Sequence, residues 1–308
     1  MTLPTPAISG TIRAPRDPAP EGGPPAVPRP ARSRKGAEGT ADSAGLQWFY
    51  FGMETSSIDR KMGHVPAILY SASLLWRPKR RTFRTPRPPD HDRLFLDSGG
   101  FSFFSRHGDY PFGAPDLAEL GLRLKADAVA CMDYPCESSV DRGAVRTNED
   151  RISKTVSNAR ACLAIAGVPW LPVIQGSSIE EYLECIRQLE SARAIRPYMG
   201  VGTLCRRVSR EDTWEVLRAI RRALPDVRLH GFGVDLRLIR DRRIRGTLFS
   251  ADSSAWNWTP RSLRTDPGRR FAPTHAERLR NFRVYNGKVG KLVGERTLDW
   301  WTTTGAVA

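Results

Sequence analysis

Eight short apolar runs, set apart by segments of helical spacing or by basic stretches, restrict this chain of 308 residues more than any other feature. They are LQWFYFG at 46–52, AILYSA at 67–72, RLFLD at 93–97, DAVACMD at 127–133, WLPVIQ at 170–175, PYMGVG at 197–202, RLHGFGV at 228–234 and TLFSAD at 247–252. Between them, 116–125, 145–166, 178–193 and 209–223 place apolar residues on one helical face, and Ser209 with Asp212 marks a helix start. Strands alternating with helices predict a parallel sheet with crossover connections. Eight such units predict an α/β chain of the (β/α)8 TIM-barrel class, with an open doubly wound sheet as the alternative.

Four of the runs end on a polar residue: Asp97, Asp133, Gln175 and Asp252. In a barrel these ends meet at the face where active sites lie. Any one of them has an ordinary explanation as the cap of the following turn. Four together, each beside turn residues, predict a shared pocket. At Asp97 the turn is Ser98-Gly99-Gly100 before Phe101, and paired glycines let a backbone bend sharply and come close to a ligand.

The net charge of +15 points to a polyanion, with nucleic acid the usual one; an arginine-rich proteome without a polyanionic partner is the other explanation. Arg-rich segments at 76–87 and 261–270 follow strands and so belong on the catalytic rim, and 237–245 extends the track or forms a solvated helix face. Residues 1–44 are rich in Pro, Ala, Gly and Arg and predict a disordered tail, which leaves 45–308 for the barrel. Five cysteines without a CxxC pair read as reduced, cytosolic thiols. Nothing in the sequence reads as a membrane span or a signal core, so a cytoplasmic protein is expected.

Paired carboxylates without a metal cluster suit acid/base and nucleophilic work at an acetal-like carbon, as in glycosidic exchange. A third carboxylate, which only accepts, complements a face of several N–H donors such as guanine's. Phe101 and His230 are of types that stack on a flat base, although core packing is their commoner fate.

DSGGFS at 97–102, CMDYP at 131–135, VIQG at 173–176, MGVG at 199–202, LHGFGV at 229–234 and SADSSAW at 250–256 occur in the order found in the tRNA-guanine transglycosylases, and 46–256 resembles that family. The resemblance implies a barrel that exchanges guanine in a polynucleotide for a 7-deazaguanine. By it, Asp252 is the nucleophile that holds the sugar covalently, and Asp97 is the general acid/base. Asp133 reads the base's N–H edge, while Gln175 and the backbone N–H groups at Gly200 and Gly202 read its carbonyl. Phe101 is the platform beneath the base, Ser98 lines the pocket, and His230 stands where the family has an apolar stacking residue.

The departures are informative. The CxCxxC cluster that binds zinc in the tRNA enzymes has no counterpart, and His275 stands alone, so neither a metal nor another cofactor is expected. Tyr134-Pro135 and the sequence Ser253-Ser254-Ala255-Trp256 resemble instead the DpdA branch, which places 7-deazaguanine in phage and bacterial DNA. That branch implies DNA and a free base such as preQ0 as partners, restriction evasion as the benefit, and host cytoplasm if the chain is phage-encoded. A homodimer is left open. The alternatives are tRNA as the polymer, or a catalytically silent nucleic-acid-binding barrel, which would have no need of both Asp97 and Asp252. A sugar hydrolase predicts no basic rim. A target base must be flipped out to reach such a pocket, and Trp256, Trp258 or Phe83 are candidates to fill the gap, with packing against the barrel the commoner role for tryptophan.

Overall fold

A computed structural model describes residues 45–54, 61–137, 147–204, 209–257 and 274–293. The expected tail, the 261–270 basic segment, Trp258 and Cys205 lie outside the described residues. We label the barrel strands β1 Trp48–Gly52, β2 His64–Ser71, β3 Asp90–Asp97, β4 Ala128–Ala130, β5 Trp170–Leu171 with Val173–Ile174, β6 Tyr198–Val201, β7 Arg228–Gly231 and β8 Ser250–Ser253. All pairs in this sheet are parallel, and they run β5-β4-β3-β2-β1-β8-β7-β6-β5. The sheet begins and ends on the two halves of β5, on either side of Pro172, so the ring closes through that one residue. Proline has no N–H to give a ladder, but its carbonyl still accepts from Gly200 N at 2.8 Å.

Helices occupy Ala72–Leu75 (α1), Gly100–His107 (α2), Ala114–Leu124 (α3), Asn148–Leu163 (α4), Ile179–Ser191 (α5), Arg210–Ala223 (α6), Leu236–Ile239 (α7), Arg242–Thr247 (α8) and His275–Gly290 (α9). Six of the starts use a side chain as cap: Thr147, Ser178, Ser209, Asp235, Asp241 and Thr274 each accept from a first-turn backbone N–H. The helix beginning in the Gly-Gly turn, α2, is not visible as a helical pattern. Its left-handed entrance at Gly99 (φ 82°) and its aromatic run mask it.

Period-two alternation sorts the strand residues. Ile68, Leu94, Leu96, Val129, Met199, Val201 and Leu229 face outward into the layer under the helices. Tyr50, Leu69, Phe95, Ala130, Leu171 and Val173 fill the barrel, where a fully buried Phe95 contributes about 2–3 kcal/mol. Along β3 the inward series is Arg93, Phe95, Asp97, so the step after the apolar layer is the carboxylate. α9 covers the outside of β1: Phe282 meets Phe51 at 5.1 Å and Trp256 at 5.6 Å. Trp256 is therefore a packing residue, 2 % exposed, with its indole N–H on Gly52 O. No helix among the described residues is long and apolar enough to cross a membrane.

Candidate active site

The strand ends surround one open cavity of about 160 Å³, whose walls include Asp97, Phe101, Asp133, Gln175, Gly202 and Asp252. These residues come from β3, α2 and the segments that follow or form β4, β5, β6 and β8. Six of the nine residues singled out in the sequence thus share a cavity; Ser98, Gly200 and His230 stand behind its walls.

Asp97 accepts hydrogen bonds from the Gly99 N–H and the Ser71 hydroxyl. Loss of solvent around it, reinforced by the negative charge of Asp133 and to a lesser degree Asp252, pushes its pKa up to about 7. The turn that presents it needs both glycines. Gly99 is left-handed, and a Cβ on Gly100 would lie 2.7 Å from the Asp133 carbonyl oxygen.

Asp133 is held more tightly. Ser98 Oγ donates to Oδ1 at 2.8 Å, and Gln175 Nε2 donates to Oδ2 at 2.5 Å. Tyr110 clamps the same residue by its backbone: its hydroxyl donates to Asp133 O at 2.9 Å and accepts from Asp133 N at 3.1 Å. Burial raises the Asp133 pKa, and the donors from Ser98, Gln175 and Tyr110 oppose that rise without cancelling it.

Asp252, 9 % exposed, accepts the Gly233 N–H on Oδ1 at 2.9 Å. Phe101 is 37 % exposed at the cavity wall, an unusual position for a phenyl ring and one open to a flat ligand.

Three expectations change. The N–H groups of Gly200 and Gly202 already donate to Pro172 O (2.8 Å) and Ile174 O (3.0 Å), so neither is left to read a base carbonyl. Their missing side chains serve space instead: a Cβ would come within 2.5 Å of the Phe232 ring at Gly200 and 2.1 Å of Gln175 Nε2 at Gly202. Gln175 is itself turned onto Asp133, and its Oε1 accepts from Thr203 Oγ1 at 2.7 Å. One Nε2 hydrogen remains for a ligand. The His230 ring is fully buried below the cavity, stacked on Phe95 at 4.6 Å rather than facing a ligand.

Phe232 takes the wall position instead. Two residues beyond His230 and just past the end of β7, it lies on the same inward side one step nearer the cavity; period-two counting along LHGFGV puts both on that side and does not say which of them lines the cavity. Thr203 and Glu137 also line the cavity, and Tyr110 buttresses it. Tyr110 comes from the loop between α2 and α3, and no local pattern marks it.

Beside the cavity, Trp76–Arg77 and Thr82–Phe83 form an antiparallel hairpin after α1. Trp76, Phe83 and Phe112 pack together at 4.8–5.4 Å and anchor it, so Phe83 is a packing residue. Arg77, Lys79, Arg80 and Arg81 stand exposed on it. A second, shallow cavity bounded by Trp76, Arg81 and Tyr110 places this hairpin next to the tyrosine that holds Asp133. In the 237–245 stretch Arg237, Arg240 and Arg242 are exposed, whereas Arg243 is paired with Glu211 and Asp241, and Arg245 is 2 % exposed with a guanidinium on Ile239 O.

A family model described as DpdA, DeoxyPurine in DNA protein A, matches residues 47–276. No curated protein matches the chain.

Proposed function

The chain belongs to the DpdA family, DeoxyPurine in DNA protein A, whose role is guanine transglycosylation in DNA modification, and we propose that it replaces guanine in DNA with a 7-deazaguanine through a covalent aspartyl-sugar intermediate. The observation that carries this reading is the meeting of Asp97 and Asp252 in one cavity with a third, neutral-donor-bound carboxylate, Asp133, between strand ends.

In the first displacement an Asp252 oxygen bonds C1′ of the flipped-out nucleotide while the C1′–N9 bond breaks. The electron pair leaves with guanine, and Asp97 supplies the proton the base needs. A carboxyl group poised near 7 is suited to that exchange at neutral pH. In the second, the N9 of the incoming base attacks C1′, its proton passes to Asp97, and the ester bond to Asp252 breaks. Two displacements at one carbon give retention of configuration.

Asp133, steadied by Ser98, Gln175 and Tyr110, accepts from the N–H edge of the purine, and the ring lies between Phe101 and Phe232. The exposed cations of the hairpin neutralise phosphates flanking the flipped nucleotide. DNA carrying the new base, with preQ0 as the simplest donor, then resists restriction.

Guanine-labelled DNA and tRNA incubated separately with the protein and 7-deazaguanine bases test the reading, with the product nucleoside identified by mass spectrometry. Label release from DNA with insertion of the analogue is expected. Release from tRNA alone would overturn the choice of polymer. Asp252→Ala should abolish both exchange and the protein–DNA adduct while DNA binding persists, and an active Asp252→Ala enzyme would remove the nucleophile assignment.

A further inference from the structure

Beneath Asp252 the barrel interior turns polar. His230 Nδ1 lies 2.7 Å from Ser250 Oγ, which lies 2.6 Å from the Tyr198 hydroxyl. That hydroxyl is in turn hydrogen-bonded to Tyr50. On the other side of the ring, Nε2 is 3.3 Å from Asp252 Oδ1, the oxygen that already accepts from Gly233 N. Nε2 makes no hydrogen bond, although it is fully buried. A phenyl ring would fill this place between Phe95 and Phe232 without a stranded polar atom, which is costly to bury.

We infer that His230 is a positioning residue for Asp252, one that aims Nε2–H at Oδ1 and so leaves Oδ2 as the oxygen that bonds the sugar carbon; this rests on the function proposed above. The proton count supports it. A carboxylate only accepts, so the ring atom facing it donates, and in the neutral tautomer that does so Nδ1 accepts from Ser250. The Ser250 oxygen also lies within hydrogen-bond distance of the Tyr198 hydroxyl, which pairs in turn with Tyr50. The series ends on the nucleophile.

The consequence falls on the second displacement. In the ester, Oδ2 is bonded to C1′ and Oδ1 is the carbonyl oxygen. When the incoming base breaks the C1′–Oδ2 bond, the electron pair returns to the carboxylate and negative charge grows on Oδ1. The Gly233 N–H and His230 Nε2–H meet it there.

His230→Phe tests this, with base-exchange kcat, KM, adduct occupancy and Tm measured together with wild type and Asp252→Ala. The expected result is a kcat lower by about 10- to 100-fold, KM for DNA and base unchanged, and a larger share of protein trapped as adduct at steady state. His230→Gln, which keeps a donor amide, should recover part of kcat. Ser250→Ala should lower kcat in the same direction with Tm preserved, and it carries the test if the phenylalanine variant does not fold. Full activity of His230→Phe, or a loss confined to KM, or adduct that falls in step with kcat, would overturn the inference and leave the transglycosylase reading intact. A wild-type protein without exchange or adduct would remove both.

Discussion

Asp97 shows how position alone changes a side chain's chemistry. On the page it is one of 33 acidic residues. In the fold, lost solvent and two neighbouring carboxylates raise its pKa to about 7. A group raised above its unfolded value near 4 binds its proton more tightly in the folded state, so its neutral form is fully compatible with the fold at low pH. The linked stability is lost as pH climbs from about 4 through 7. Asp97→Asn removes that linkage. We expect the variant to be more stable than wild type by on the order of 2 kcal/mol at pH 8 and by much less at pH 5, with exchange abolished. Thermal melts at the two pH values check this, and an equal Tm difference at both would mean Asp97 is already ionised in the fold.

The same scale shows the limit of reading single residues. Asp97, Asp133, Gln175 and Asp252 were legible because each ends an apolar run, and a strand end has one place to go in a barrel. His230 and Phe232 are two residues apart on one inward face, and which of them reaches the cavity depends on how far β7 runs before the chain leaves the sheet. Tyr110 could not be read at all, since its hydroxyl meets Asp133 across 23 positions of chain.

At the scale of elements, the Arg-rich stretch after β2 gains its meaning from the hairpin it forms. Its charges project because Trp76 and Phe83 are pinned under Phe112, and Arg84 is turned back onto the Leu74 carbonyl by two hydrogen bonds. Replacing Arg77, Lys79 and Arg80 with Ala should leave Tm unchanged, weaken DNA binding, and reduce the slope of log affinity against log salt by up to about 3. Titrations at several salt concentrations measure it. A slope equal to that of wild type would take the hairpin off the DNA path. The companion stretch at 237–245 looked similar in sequence, yet helix packing consumed its Arg243 and Arg245. Charge count does not distinguish a free guanidinium from one that holds a helix in place.

For the whole molecule, closure is the decisive event. The first described residues are already stitched to the last strand's approach: Leu46 N donates to Arg245 O at 3.1 Å and Gln47 N to Phe249 O at 2.8 Å. β1 then pairs with β8 over Trp48 to Phe51. All eight strands of the ring thus lie among the described residues from 45 onward. A protein beginning at Gly45 should fold with a Tm within about 2 °C of the full chain, a difference below ~1 kcal/mol, and should retain exchange. Loss of the cooperative melt on truncation would show that the preceding segment belongs to the fold.

Local chemistry was enough to narrow the fold to a parallel α/β sheet, closed or doubly wound, and to mark the acids at its strand ends. Alternating strand and helix periods admit few topologies, and a polar residue at the end of a buried strand is marked by its neighbours alone. The tertiary structure decided which groups touch. It spent the Gly200 and Gly202 amides on the ladder, set Phe232 in the wall and His230 under the nucleophile, and tied Tyr110 to Asp133. Those outcomes depend on distances between segments remote in sequence, which closing the ring at Pro172 sets and no local pattern encodes.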